Sequence, residues 1–213
     1  FGFSQIHSYL NTYSGCYDTV DEGIGLINYT AHCGETEWSS PHLSQSDAND
    51  FTNNEMYPIA IGNCCLAADF GYSECIGETW MRKQNGGAVA YIGSSPSSYW
   101  FEDFYWAVGA FPIQGNNNGY VPTYEETTWG TYDGSFVSDY VSTGGMIFVG
   151  NLAVTEVDLE GYPQHSSPLY YWQAYNVLGD PSLIPYLTQG NLNSVNFMNV
   201  LPIGVDNFEV TAE

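Results

Sequence analysis

The sequence predicts an α/β fold in which a mostly parallel sheet is flanked by helices. Three observations predict it. Short apolar runs rich in β-formers occur at 23–31, 57–63 and 88–94. Segments of helical character separate them, the alternation that a parallel sheet with crossover helices produces. Hydrophobic residues make up 44% of the chain and aromatics 16%, enough to build a core on both faces of such a sheet.

The elements follow in order. Residues 23–31 (GIGLINYTA) read as a buried strand ending at His32. Residues 44–53 (SQSDANDFTN) open with Ser and Asp cap candidates and predict a short helix. Residues 57–63 (YPIAIGN) are a second strand, running into Cys64 and Cys65. Residues 74–84 (ECIGETWMRKQ) suit a helix stopped by Gly86 and Gly87, and 88–94 (AVAYIGS) form a third strand. Residues 101–111 and 168–178 have the length and aromatic spacing of core-facing helices. A Gly/Asn-rich loop lies at 115–119, and the segment after it receives no assignment. The pattern changes near Gly190. Residues 1–188 are read as one α/β domain, and 189–213 as a linker with the first strand of a β-sandwich.

Composition narrows the function classes. The 213 residues carry 24 Asp plus Glu against 2 Lys plus Arg, a formal net charge of -22. Phosphate binding needs Lys and Arg, so nucleic acid and anionic membrane surfaces are poor partners, while basic ligands, basic peptides and divalent cations are favoured. Charged residues are only 12%, about half the usual ~25%. The surface is thus stripped of basic residues rather than crowded with acids, which suits a secreted or cell-surface protein. No apolar stretch reaches the length of a membrane span. The first residue is Phe1 and no signal peptide is visible, so the chain reads as a piece of a longer precursor.

Five cysteines, Cys16, Cys33, Cys64, Cys65 and Cys75, leave at least one thiol unpaired within the chain. No CxxC pair is present and the four His are scattered, so a zinc site is not indicated. In open parallel sheets functional groups gather beyond the carboxyl ends of the strands. His32 ends the first strand and the Cys pair ends the second, 33 residues later, room for one crossover. A thiol and an imidazole on neighbouring strand ends are the parts of a cysteine nucleophile and its acid/base. Taken alone the pattern is weak, because His and Cys more often only pack.

The segments NYTAHCGETEW, AIGNCCLAADF, YIGSSPSSYWFEDFYWAVGA and YYWQAYNVLGDPSL, in that order, resemble those of the gingipain family of cysteine peptidases. The resemblance runs from Cys16 to Leu187 and implies a caspase-like fold, followed by an Ig-like domain of which this chain holds the start. It implies His32 as general acid/base and Cys65, the second residue of the pair, as nucleophile, with Cys64 packed into the core. The backbone N–H groups of Cys33 and Cys65 would form the oxyanion site. Ser95, Trp100 and Trp106 would line the substrate pocket, the competing reading being that both tryptophans are core aromatics.

Activity is then expected to be secreted endopeptidase cleavage, preferring basic P1 residues. Only Arg82 and Lys83 are basic, as fits a chain that avoids its own activity, although adaptation to an external medium would purge basic residues too. No cofactor is required for the chemistry. Glu35 and Glu37 offer a structural calcium site, a contact to substrate or, more simply, a solvated loop. The expected partners are peptide or protein substrates and an upstream N-terminal subdomain or chain of the same precursor. That subdomain would supply both the acid that reads a basic side chain and the carboxylate that orients His32. Glu102 and Asp103 read as acids at a helix N-terminus, Asp180 as a turn former, and Asn28-Tyr29-Thr30 as a sequon in a buried strand.

One departure from the family stands beside the nucleophile. Gly-His-Gly is replaced by Ala31-His32-Cys33. A position requiring positive φ would strain Cys33, and a disulfide from Cys33 to Cys64 or Cys65 is expected to leave a pseudoenzyme. The rival function is therefore a catalytically inactive caspase-like surface or assembly protein, with Cys33 as the discriminating residue.

Overall fold

The computed structural model describes residues 13–113, 122–132, 134–137 and 141–185, with 195–197 and 210–212. A four-stranded sheet carries the fold: β1 (Leu26–Thr30), β4 (Ile59–Asn63), β5 (Ala90–Ser94) and β6 (Tyr175–Leu178), adjacent in that order. β1, β4 and β5 are parallel, and β6 closes the edge antiparallel to β5. β4 and β5 are buried along their whole length, as central parallel strands must be when helices cover both faces.

Side chains alternate between two cores. Ala60, Cys64 and Tyr91 face one layer with α1 (Tyr13–Glu22), α2 (Gln45–Asp50) and α3 (Ile76–Arg82). Ile59, Ile61, Ala90 and Ile92 face the other, with α4 (Trp100–Val108), α6 (Thr143–Glu160) and α7 (Pro168–Ala174). A short α5 (Gly134–Val137) precedes α6. Between β1 and α2 lies a hairpin, β2 (Glu37–Ser39) and β3 (His42–Ser44), capped onto α2 by Ser44 and Asp47 in a reciprocal capping box. The hairpin is fixed by aromatic packing: Tyr29 stacks on Trp38 at 4.6 Å and Trp38 on Trp80 at 5.4 Å, and Phe51 meets Trp80 edge-on at 4.8 Å.

Three expectations change. Residues 168–178 are a helix only to Ala174, and the remainder is β6. The run Tyr175–Leu178 finds a free edge on β5, and tertiary pairing overrides helical spacing. β1 is an edge strand rather than a buried one, with Asn28 exposed. The unassigned segment contains α6, the longest helix, apolar on its buried face and also exposing Phe148, Leu152 and Leu159, so it lacks the one-sided pattern that marks a helix in sequence. β7 (Val195–Phe197) and β8 (Val210–Ala212) pair antiparallel in a separate two-stranded sheet. The loop at 115–119 and the linker at 189–194 lie outside the described residues.

Trp106, expected as a pocket wall, is 0% exposed. It stacks on Tyr175 at 4.5 Å and donates its indole N–H to Asn151 at 3.2 Å, so it is a core aromatic. Trp100, 63% exposed, keeps its surface position. Trp106→Ala should therefore lower unfolding free energy by about 3–5 kcal/mol. Trp100→Ala should change it by less than about 0.5 kcal/mol. Denaturant unfolding of the two variants checks the contrast, and a Trp106 variant as stable as the parent would refute the core assignment.

Candidate active site

β1 and β4 pair from Leu26 opposite Ile59 to Thr30 opposite Asn63, so both chains leave the sheet at the same edge. Just beyond that last pair come His32 on one strand and Cys64 and Cys65 on the other. The structure thus brings the two predicted reacting residues to one sheet edge.

Tyr29 holds the His32 loop. Its hydroxyl donates to the His32 carbonyl at 2.6 Å and accepts from the N–H groups of Ser39 and Ser40 at 3.1 and 3.0 Å. Ser39 N–H also donates to the His32 carbonyl, at 2.9 Å. The His32 backbone is therefore fixed while its side chain is exposed, its ring 5.8 Å from that of Trp100. His42 is occupied elsewhere, paired with Glu37 at 3.1 Å on the hairpin. Glu35 lends its carbonyl to the N–H of Ile76 at 2.6 Å. No group of three or more His, Cys, Asp or Glu side chains able to hold a metal ion occurs among the described residues.

Cys33 is bridged to Cys64, with their Cα atoms 5.7 Å apart. Of the two disulfides considered for Cys33, the one to Cys64 forms, and it leaves Cys65 free. The chain's path just past β4 explains the choice. Cys64 points into the core beneath the hairpin, the side from which Cys33 comes, and Cys65 does not. Closing a loop of 31 residues removes entropy from the unfolded chain equivalent to about 3–4 kcal/mol. The backbone strain considered for Cys33 is absent too. Positive φ among described non-glycine residues is confined to Glu55, Leu66 and Asn85, and Cys33 forms an extended bridge with Trp38. The left-handed residue is instead Leu66, immediately after Cys65, which turns the chain sharply away from the strand end.

The Cys65 sulfur receives the N–H of Ser98 at 3.3 Å, and the Ser98 hydroxyl oxygen lies 3.7 Å from it. That hydroxyl has one proton, which goes to Asp103 Oδ2 at 2.5 Å. Asp103 is far more than an acid at a helix N-terminus. It is 7% exposed, and Tyr171 and Tyr175 place their hydroxyls 2.8 Å from its other oxygen. Asn63, at the end of β4, donates to the Asp103 carbonyl at 2.8 Å and to Thr30 Oγ1 at 3.2 Å. Thr30 in turn meets the Tyr132 hydroxyl at 2.5 Å. Burial pushes the Asp103 carboxyl up to about 6, with the hydroxyl donors pulling the other way and the Glu102 charge adding to the rise. No cation pairs with Asp103 among the described residues, and the chain's two basic side chains are engaged on Glu74 and on the Asn49 carbonyl. Sequence reasoning missed this role because Asp103 reads like any acid in a first helical turn. The signal available was its spacing from the SSPSSYW loop.

Of the remaining expected residues, Ser95 is structural. Its hydroxyl donates to the Ala68 carbonyl at 2.8 Å and accepts from Asn176 at 2.9 Å, tying the end of β5 to the turn after Cys65. Glu102, 0% exposed, accepts from the N–H groups of His165 and Ser166. No backbone acceptor among the described residues takes the N–H of Cys33 or Cys65.

A mostly parallel sheet flanked by helices, with a free, partly accessible cysteine just past one strand end, is the architecture of cysteine peptidases with a caspase-like fold. The chain belongs to peptidase family C25, whose family model matches residues 4–186. It is 41% identical over 99% of its length to Lys-gingipain of Porphyromonas gingivalis and spans 12% of that protein. It is 34% identical to gingipain R2 of the same species over 39% of the chain and 12% of the relative. A protease of solved structure superposes with a TM-score of 0.77 at 42% identity, covering 94% of this chain and 44% of the other. The Arg-specific cysteine proteinase gingipain R superposes at 0.65 and 22% identity, covering 95% and 43%. The sheet and its helices thus have the gingipain fold.

Two outcomes follow from the titrating groups. Burial holds the Cys16 and Cys75 thiols up at about 11, so iodoacetamide near neutral pH should modify Cys65 and spare both. Peptide mapping by mass spectrometry checks this, and preferential labelling of Cys16 or Cys75 would contradict it. Asp103 has a folded value raised above its unfolded one, so the native state binds the extra proton between about pH 4 and 6 and stability falls as pH rises through that window. Asp103→Asn should flatten that decline, by up to about 3 kcal/mol at neutral pH. Unfolding curves across pH 4–7 read it out, and an unchanged slope in the variant would show that another group titrates.

Proposed function

We propose that this chain is the nucleophile-bearing part of a secreted cysteine endopeptidase that cleaves after basic residues. The observation that carries the proposal is the free Cys65 thiol at the same sheet edge as His32, its neighbour Cys64 being locked in a bridge. In the reaction the Cys65 thiol gives its proton to His32, the sulfur attacks the scissile carbonyl carbon, and the carbonyl electrons move onto oxygen. The N–H groups of Cys33 and Cys65, which no backbone acceptor among the described residues takes, receive that oxyanion. The C–N bond breaks as the His32 imidazolium gives its proton to the leaving amine. Water, deprotonated by His32, then hydrolyses the thioester and restores the thiol–imidazole pair.

Asp103 is the specificity acid in this reading, in place of an acid supplied only from upstream. It is a buried carboxylate without a cation, one hydroxyl away from the nucleophile, and a Lys or Arg side chain would supply the missing charge. Trp100 forms the exposed wall beside His32. The relative named for Lys supports a basic P1 preference. The chain covers less than half of its solved relatives, and we assign the group orienting His32 to the remainder of the precursor. The pair β7 and β8 fits the start of the expected Ig-like domain.

In the assembled enzyme, Cys65→Ala and His32→Ala should each lower turnover by about 1,000-fold or more. Asp103→Asn should reduce kcat/KM on Lys- or Arg-P1 peptides about 100-fold and leave an apolar-P1 peptide within a few fold. In the parent, the ratio of basic to apolar kcat/KM should rise through about pH 6 as Asp103 ionises. A P1 scan is the decisive measurement, and a basic preference that survives Asp103→Asn would sink the assignment.

A further inference from the structure

The bridge between Cys33 and Cys64 flanks both proposed reacting residues: Cys33 follows His32 and Cys64 precedes Cys65. Hydrogen bonding between β1 and β4 stops at Thr30 and Asn63, just before these residues. Past that point the disulfide is the covalent link that carries the strand pairing forward. Cys64 is fully buried, and Cys33 is held in extended backbone by its bridge to Trp38. Cys33 Sγ also rests 2.8 Å from the Cys65 carbonyl oxygen, and since a bridged sulfur has no proton this is a direct sulfur–oxygen contact. The His loop therefore touches the nucleophile's own peptide.

We infer that the Cys33–Cys64 disulfide is a positioning brace for the proposed dyad, holding His32 and Cys65 in register where the sheet can no longer do so. The inference rests on the reading of His32 and Cys65 as the catalytic pair. Its consequence is an opposed redox requirement one residue apart, since Cys65 must be reduced and Cys64 oxidised. A dithiol reductant would break the brace by a two-electron exchange. One reductant sulfur bonds to Cys33 or Cys64, the second displaces it, and the reductant leaves as its own disulfide. Two protons end on the Cys33 and Cys64 thiols.

The test uses the assembled, processed enzyme. The variant Cys33→Ala/Cys64→Ala keeps both backbone N–H groups and removes only the bridge. Turnover is referred to sites titrated with a peptidyl acyloxymethyl ketone, so molecules that fail to fold drop out of the count. We expect kcat per titrated site to fall at least tenfold, towards the 100-fold loss that a misplacement of about 1 Å can produce. KM should stay within about threefold, because Asp103 and Trp100 lie on α4, outside the braced segments. In parallel, dithiothreitol is titrated against the folded parent. Activity should rise as oxidised Cys65 is recovered, then fall as mass spectrometry shows Cys33 and Cys64 becoming alkylated. A double variant with kcat within threefold of the parent, or a parent still fully active at a dithiothreitol concentration where a quenched, alkylated aliquot shows Cys33 and Cys64 both reduced, would overturn the inference. If instead Cys65→Ala retains activity, the underlying assignment of the nucleophile fails.

Discussion

Hydrogen bonds pair β1 with β4 in parallel register up to Thr30 and Asn63, and both chains leave the sheet at the same edge. A parallel pair forces its carboxyl ends together, so whatever follows each strand must meet its counterpart. His32 and Cys65 are what follow. The buried length of β4, between β1 and β5, makes this register hard to slip, because a one-residue shift would exchange Ile59 and Ile61 with Ala60 between two differently filled cores.

The two faces of the sheet do different work at that edge. On the α1–α3 face, the stack of Tyr29, Trp38 and Trp80 presses the hairpin against the sheet, and the Tyr29 hydroxyl satisfies three backbone groups of the His32 loop. Cys64 turns to that same face and is closed by Cys33. The α4 face carries the polar chemistry instead. There Asn63, Asp103, Tyr171 and Tyr175 form a hydrogen-bonded cluster that reaches Cys65 through Ser98. Aromatic packing on one side and a hydroxyl network on the other leave the strand ends little freedom.

A buried carboxylate is unfavourable unless its oxygens are satisfied, and three hydroxyls surround that of Asp103. Hydrogen bonds alone do not neutralise the charge, which is why burial still dominates and raises its proton affinity. Such a group is costly for stability and well suited to receiving a cation, a combination common at binding sites.

The sequence by itself determined the parallel sheet, since continuous apolar runs such as IAIGN and AYIGS are what central strands require, and it placed His32 and Cys65 at their ends. The family segments made the class of protein legible for the same reason: local runs of residues carry them. The tertiary structure decided what depends on contacts distant in sequence. Residues 175–178 became a strand because β5 offered a free edge, and α6 escaped notice because it is apolar on more than one side. Trp106 proved to be core and Asp103 a buried acid linked to Cys65 through Ser98, although both sit in the same helix within three residues. Which of Cys64 and Cys65 would pair with Cys33 was likewise invisible in the sequence. Burial settles it: Cys64 sits in the core within reach of Cys33, and Cys65 stays partly accessible.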